Sequence, residues 1–159
     1  MNSAHAFIKM IFDRWNASLN TCDNLLNELT DEQLQKEIVP NKNRGVYLLG
    51  HLIAVHDDML ILLNMGDKLY PELHKIFLDS PDKAMAEIPS IQELRACWSK
   101  QCEVLKHKFM GLQPEEWFEK HTAVSAEDFI NEPHRNKLNI ILTRTSHLNY
   151  HNGQLILLK

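Results

Sequence analysis

Two histidines near the end of the chain, His147 and His151, have the spacing of side chains that can share a metal ion. Residues four apart on a helix lie on one face, one turn above the other, and neutral imidazoles are common ligands of zinc and other divalent ions. The pair alone is a weak signal, because a chain with 9 histidines contains such pairs by chance. The zincin motif HExxH is absent, since Leu148 stands where that motif needs its catalytic glutamate.

His51 is the candidate third ligand of this site. It lies in a segment, residues 45–64, that is apolar on nearly all sides and is typical of a central helix in a bundle. At the helical rotation per residue, His51 lies about 60° from Leu48 and about 40° from Val55, so it points with the core stripe. His56 lies about 140° from His51 on the same helix, and we do not expect the two to share a metal.

Four residues near these histidines have roles that the sequence leaves open. Asp58 orients His51 through its second ring nitrogen, acts as a nearby base, or is a solvated or capping-type carboxylate. Tyr47 either borders the site or is a buried aromatic. Gly153 lies inside a helix, where it costs roughly 1 kcal/mol relative to alanine, and close approach of a neighbouring helix is a sufficient reason for it. Gln154 hydrogen-bonds either a helix end or a ligand.

The repeat of apolar residues predicts four long helices that would position these histidines. Two of the connections carry helix-start signals, because Thr30 with Gln33 and Ser90 with Glu93 have the composition of capping boxes. The long helices are expected at about residues 3–29, 45–64, 91–109 and 136–158.

The connections between the predicted long helices differ in character. Residues 66–89 contain three prolines, and only residues 73–78 have the pattern of a short helix. This composition predicts a connection that crosses the bundle. Residues 118–133 are polar and irregular, and we expect them to lie over one end of the bundle as a loop. The predicted fold class is therefore all-α, a four-helix bundle with one long crossover connection.

Composition and charge narrow the possible partners. With 159 residues, 44% of them hydrophobic, the chain fits one domain over residues 1–159. A net charge of −4 leaves no basic footprint, so we expect no nucleic-acid partner. Polar residues interrupt the apolar ones near the N-terminus, so we expect no signal peptide. We also expect that no apolar run reaches membrane-spanning length and that the protein has no membrane partner.

The chain has three cysteines, an odd number without CxxC spacing, and each falls inside a helical pattern. These residues, Cys22, Cys97 and Cys102, are typical of reduced thiols that pack as small hydrophobic side chains. Reduced thiols indicate a cytoplasmic protein.

Two segments of the chain carry a family resemblance. The sequence HLNYHNGQL at residues 147–155, together with Gly-His-Leu at residues 50–52, resembles the DinB-like (DinB/YfiT-like) family of four-helix metalloproteins. In that family, one histidine from the second helix and an HxxxH pair from the last helix bind a divalent metal. The resemblance covers the chain in helix order, and it implies that His51, His147 and His151 are metal ligands.

The resemblance also bears on function. It implies a metal-dependent thiol S-transferase or hydrolase that acts on small molecules, possible substrates being low-molecular-weight thiols, and it implies a homodimer. Three imidazoles suit zinc or nickel. The alternatives are a non-catalytic metal-binding or stress-response protein, and a plain helical bundle with three core histidines. Two departures from the family pattern, Tyr150 and Asn152, concern the substrate more than the metal.

Overall fold

Seven α-helices make up the chain over residues 3–159, which are the residues that the computed structural model describes. Within this range 68% of the residues are helical and no β-strand occurs, which confirms the all-α prediction. Two 3₁₀ turns, Pro114–Phe118 and Ile156–Leu158, complete the regular structure of these residues. In chain order the helices are α1 (Ser3–Glu28), α2 (Asp31–Leu34), α3 (Gly45–Leu62), α4 (Glu72–Phe77), α5 (Ile91–Met110), α6 (Ala126–Asn131) and α7 (Lys137–Leu155).

The long helices α1 and α5 run antiparallel. Near the end of α1, the Trp98 indole of α5 donates a hydrogen bond to the Asp23 carboxylate at 2.8 Å. Nearer the start of α1, the rings of Phe12 and Phe109 lie 5.6 Å apart. Because later residues of α1 meet earlier residues of α5, the two helices point in opposite directions.

The last helix, α7, runs parallel to α1 and packs along it. The Asn152 amide in the last turn of α7 donates to the Ser18 carbonyl oxygen at 3.1 Å. Beyond that turn, Lys159 forms an ion pair with Glu28, the last residue of α1. Residue numbers therefore increase together along this contact.

The helix α3 packs between α5 and α7 and runs antiparallel to α7. Gly45 begins α3 beside Leu158, and one and a half turns later His51 meets His147. Since α7 is parallel to α1 and α5 is antiparallel to it, α3 and α5 are parallel. Two consecutive parallel helices need a connection along the full length of the bundle, and residues 63–90 provide it. The predicted long crossover is thus confirmed.

The start of the crossover is held by a buried carboxylate on α3. Asp57 accepts hydrogen bonds from the backbone amides of Leu69 and Tyr70 at 2.9 Å and 2.7 Å. It also accepts one from the Gln101 side chain of α5 at 3.0 Å. Asp57 is 1% exposed, and these three donors replace the water that a buried carboxylate loses.

The central position of α3 explains its composition. Its 18 residues, with a mean hydropathy of 1.4, meet the length and apolarity that a membrane span requires, so the expectation that no run reaches that length is wrong for this helix. In the bundle, 78% of this window is buried against the other helices. A helix that contacts neighbours on most sides needs apolar residues on most sides.

The sequence correctly predicts two helix starts from their capping residues, but it does not predict one short helix, α6. Both predicted capping boxes are present, at Thr30 with Gln33 and at Ser90 with Glu93. The polar stretch predicted as a loop contains α6, which begins where the Ser125 hydroxyl accepts a hydrogen bond from the Asp128 amide at 3.0 Å. None of the residues of α6 is buried, so no apolar repeat marked it in the sequence.

Candidate metal centre

Three imidazoles from α3 and α7 converge at the inner edge of the bundle. The Nε2 atom of His147 lies 3.2 Å from Nε2 of His51 and 3.0 Å from Nε2 of His151. One nitrogen from each ring lies within 4.8 Å of the other two, a spacing that can hold a metal ion. The structure therefore brings together the three residues that the sequence singled out, although metal binding itself stays a prediction.

The orientation of His51 is set by a main-chain carbonyl of the crossover. The Nδ1 atom of His51 lies 3.0 Å from the carbonyl oxygen of Phe77, the last residue of α4. A carbonyl at a helix end lacks an intrahelical partner and can only accept, so Nδ1 carries the proton and donates it. The Nε2 atom of His51 is consequently left with a free lone pair that faces the other imidazoles.

Close packing brings that carbonyl to His51. Gly50, the residue before His51, lies against the Phe77 ring, and a Cβ atom added to Gly50 would come within 2.4 Å of it. Real Cβ atoms do not approach other atoms so closely, so any side chain at this position would displace Phe77. Gly50 is thus a positioning residue for the second ring nitrogen of His51.

The orientation of His151 is set by a side chain on its own helix. The Nδ1 atom of His151 lies 2.7 Å from Oε1 of Gln154, whose amide nitrogen faces the Tyr150 hydroxyl at 3.3 Å. With the amide oxygen as acceptor, Nδ1 of His151 donates and Nε2 is free of a proton. The sequence left two roles open for Gln154, a bond to a helix end or a contact with a bound ligand. The structure shows a third: the Gln154 side chain hydrogen-bonds His151 and so orients a predicted metal-binding residue.

His147 occupies the centre of the cluster. Its Nε2 faces two lone pairs and can carry only one proton, so at least one of the two contacts sets lone pair against lone pair. A cation removes this conflict. Zinc–nitrogen bonds of about 2.0–2.1 Å separate tetrahedral ligands by about 3.3 Å, close to the 3.0 Å and 3.2 Å found here. Three imidazole nitrogens are a donor set that suits a divalent ion such as zinc or nickel, and an ion held by three protein ligands would have a position left for water or substrate.

Burial favours the neutral form of His147 and His151, and metal binding requires neutral imidazoles. Desolvation, followed by the neighbouring His151 and His51, lowers the pKa of His147 to about 4. Desolvation also lowers the pKa of His151, and the bond to Gln154 opposes that shift. The Nδ1 atom of His147 is buried and has no hydrogen-bond partner among the described residues, so its ring is held by packing alone.

A positive charge lies next to the cluster and was missed in the sequence. Arg144 precedes His147 by three residues on α7 and is half-buried, and its charge contributes to the lowered pKa of His147. Burial lowers the pKa of Arg144, and the charge of Asp58 opposes this. The Nε atom of Arg144 is buried without a partner among the described side chains and main chain. The i−3 spacing from His147 is the signal that could have indicated it.

Two residues with open roles border this region differently. Asp58 does not orient His51, whose Nδ1 is bound to Phe77; it pairs with Lys68 at 2.6 Å and is partly exposed. Tyr47 is half-buried and its ring lies 6.4 Å from that of His51, nearly parallel to it. Its hydroxyl donates to the Ser80 carbonyl at 2.7 Å, so Tyr47 joins the crossover to α3 beside the site.

The explanation offered for Gly153 is wrong. A Cβ atom added there would meet no atom of residues 3–159 within 4 Å, so none of the described helices approaches it closely. The close approach occurs at Gly50 instead. The structure shows no packing reason for Gly153.

The three cysteines are poor candidates for a nucleophile or a metal ligand, because burial raises their pKa values. The three cysteines are free, and desolvation raises the pKa of Cys97 and that of Cys102, the latter to about 12. The deeply buried Cys22 is shifted in the same direction. A thiol whose pKa is raised carries little thiolate at neutral pH and is a poor nucleophile or ligand.

Comparison with known proteins supports the fold and identifies the family of the chain. A crystal structure of a conserved protein from Enterococcus faecalis is similar in fold, with a TM-score of 0.55 and 14% sequence identity over 93% of this chain and 96% of that chain. No curated protein matches the sequence. The sequence profile of the DinB superfamily matches residues 14–155, which is most of the chain and includes all three histidines. The chain therefore belongs to the DinB superfamily.

Proposed function

We propose that this protein is a metal-dependent enzyme that acts on a small molecule, with thiol S-transfer as the first reaction class and hydrolysis as the second. The observation that supports this most directly is the convergence of three imidazole Nε2 atoms from His51, His147 and His151, two of them with the opposite ring nitrogen committed to a fixed acceptor. Three protein ligands are the number found in catalytic zinc sites, which keep a position open.

Each part of the site has a separate task in this proposal. The Phe77 carbonyl and the Gln154 amide hold two rings with their lone pairs inward. A divalent ion bound there would act as a Lewis acid and lower the pKa of a thiol or of water toward neutrality. The guanidinium of Arg144 supplies a fixed positive charge nearby, which favours an anionic substrate such as a thiolate or a carboxylate-bearing thiol.

We further propose that the protein works as a cytoplasmic homodimer. Family resemblance supports the dimer. The free thiols of Cys22, Cys97 and Cys102 are compatible with a reducing compartment. Sedimentation velocity of the purified protein tests the oligomeric state, and a monomer at micromolar concentration would contradict it.

Metal analysis tests the site. We expect the purified protein, loaded with zinc and dialysed, to retain about one ion per chain, and the triple variant His51→Ala, His147→Ala, His151→Ala to retain none. A matched triple variant replaces three exposed histidines, His5, His107 and His134, and should retain the ion. Equal metal content in both triple variants would exclude the site.

Turnover tests the reaction class. Chlorodinitrobenzene is offered with glutathione, bacillithiol or mycothiol; the sulfur forms a bond to the ring carbon, chloride leaves, and the thiol proton passes to solvent. We expect conjugation above the uncatalysed rate with at least one thiol, and its loss after metal removal. An ester panel tests hydrolysis in the same way. Metal retention without turnover in either panel would favour a non-catalytic metal-binding or stress-response protein.

A further inference from the structure

A second concavity lies away from the three histidines. It is formed by α1, α5 and the 3₁₀ turn Pro114–Phe118, and it encloses about 520 Å³. This volume falls in the range of sites for small organic ligands. None of the candidate metal ligands lines it, so it is separate from the candidate metal centre.

Aromatic rings form one wall of this cavity. Phe12, Phe109 and Trp117 lie in mutual contact, with ring centroids 4.9–5.6 Å apart and two of the three pairs edge to face. The Trp15 ring continues the wall at 6.1 Å from Phe109. Such an arrangement offers ring faces and edges to a flat apolar ligand.

Of the two lysines that line this cavity, one has no balancing carboxylate. Lys106 on α5 lines it, is half-buried, and forms no ion pair or hydrogen bond within residues 3–159. Lys9 also lines it but pairs with Asp13 at 2.6 Å. No aspartate or glutamate is among the lining residues. An ammonium group without a carboxylate partner favours an anionic ligand.

A second polar group of the wall is also without a partner. The indole nitrogen of Trp15 is buried, and no acceptor for it occurs within the described part of the chain. Trp15 itself is 1% exposed and lines the cavity. Buried indole N–H groups are normally hydrogen-bonded, so this donor in the wall is an exception.

From these observations we propose that the cavity binds a hydrophobic organic anion, namely an aromatic carboxylate. Its ring system lies against the wall of Phe12, Phe109 and Trp117, and its carboxylate accepts from Lys106. The volume suits the ring system, the unpaired ammonium suits the single negative charge, and the absence of acidic lining residues leaves that charge unopposed.

Calorimetric titration with three ligands of one shape tests the charge preference. The probes are naphthalene-1-acetate, the neutral 2-(1-naphthyl)ethanol and the cationic 2-(1-naphthyl)ethylamine. We expect the acid to bind about tenfold more tightly than the alcohol, because a hydrogen bond to a charged group is stronger than a neutral one, and the amine to bind more weakly than either. Equal affinities for all three would overturn the proposal.

A charge variant tests the partner. Lys106→Gln should weaken binding of naphthalene-1-acetate about tenfold and leave binding of the alcohol unchanged. The control is Lys100→Gln on the same helix, where an exposed lysine pairs with Glu103 at 3.0 Å, and it should change neither affinity. An equal loss in both variants, or no loss in Lys106→Gln, would contradict the assignment.

Filling variants test the location. Leu112→Trp and, as an independent second variant, Ile8→Trp place an indole in the cavity and should abolish binding of both acid and alcohol, while zinc retention stays at the wild-type level. Binding that survives in a folded filling variant would overturn the proposal. So would a wild-type dimer that binds no naphthalene-1-acetate and becomes monomeric in Ile8→Trp, because the cavity would then receive a second copy of the chain.

Discussion

His51 and His56 lie five residues apart on α3, yet they have opposite environments. In both, the Nδ1–H group donates a hydrogen bond to a backbone carbonyl oxygen, that of Phe77 at 3.0 Å for His51 and that of Leu52 at 2.7 Å for His56. The difference is at Nε2. In His51 this atom faces His147, whereas in His56 it is buried without a partner among the described residues.

The surroundings of His56 explain why it is a core residue. Its ring is fully buried and packs on Trp15 and Trp98, each at a centroid distance of 5.1 Å. Desolvation lowers the pKa of His56 to about 3. The comparison with His51 teaches that a satisfied Nδ1 does not distinguish a ligand from a core histidine. The neighbours of Nε2 distinguish them.

The largest expected effect comes from loosening one ring of the metal cluster. Gln154→Leu removes the acceptor of His151, so the ring can rotate and its proton can move to Nε2. We expect zinc affinity to fall about 10- to 100-fold, as for other outer partners of metal-bound histidines. Competition with a chromophoric chelator measures it.

The matched control for this variant is Gln154→Glu, which keeps an acceptor at the same position and should bind zinc at least as tightly as the wild type. The variant His56→Leu should leave zinc affinity unchanged, because His56 is outside the cluster. An unchanged zinc affinity in Gln154→Leu would contradict the distinction between the metal-binding histidines and the core residue His56.

A second, smaller effect concerns stability in acid. The pKa of His56 is about 3 in the folded protein and near 6.5 in the unfolded chain, so between these values only the unfolded chain binds the proton. Stability is therefore lost as pH falls from about 6.5 to about 3. One such group contributes about 1.4 kcal/mol per pH unit to this loss.

Replacing His56 by leucine should make that dependence shallower by about 1.4 kcal/mol per pH unit between pH 6 and pH 4. Urea unfolding of metal-free protein at several pH values measures it. The contributions of His147 and His151 are present in both proteins and cancel in the difference. An unchanged slope in His56→Leu would show that His56 is not held neutral.

The smallest expected effect is a gain. Gly153 lies in the interior of α7, two residues after His151, with open space where a Cβ atom would be. Gly153→Ala should therefore raise the free energy of unfolding by about 0.5–1 kcal/mol. Zinc affinity should not change, because the added methyl group would not contact His51, His147 or His151. Thermal unfolding measures the gain.

The contrasting substitution is Gly50→Ala beside His51, where the added Cβ atom meets the Phe77 ring and the same exchange should destabilise the protein. Equal effects of the two substitutions would contradict the difference between these glycines. A loss of stability in Gly153→Ala would indicate a contact that the described residues do not show.

The sequence predicts those parts of the fold that depend on the spacing of apolar side chains and on helix-capping residues. The four long helices, the crossover and both capping boxes follow from apolar spacing and from Thr30 and Ser90. The grouping of His51, His147 and His151 needed the family resemblance in addition, because helix spacing alone joins only two of them.

The remaining parts depend on groups that leave no such pattern. The acceptor of His51 is a main-chain carbonyl, which every residue has, so the residue type of Phe77 does not reveal it. The helix α6 buries none of its residues and shows no apolar repeat. The reason for a glycine depends on residues distant in the sequence, so the sequence does not show the close contact at Gly50 and predicts one at Gly153 that does not exist among the described residues.

The hydrogen bond between His51 and the Phe77 carbonyl also bears on which connections tolerate insertions. Loop-closure entropy grows slowly with length, so an exposed connection such as the one containing α6 accommodates extra residues at little thermodynamic cost. The segment between α3 and Phe77 does not have this freedom, because its length determines where the carbonyl ends up. Natural length variation in relatives that keep the three histidines should therefore collect after α4 and around α6 rather than before Phe77.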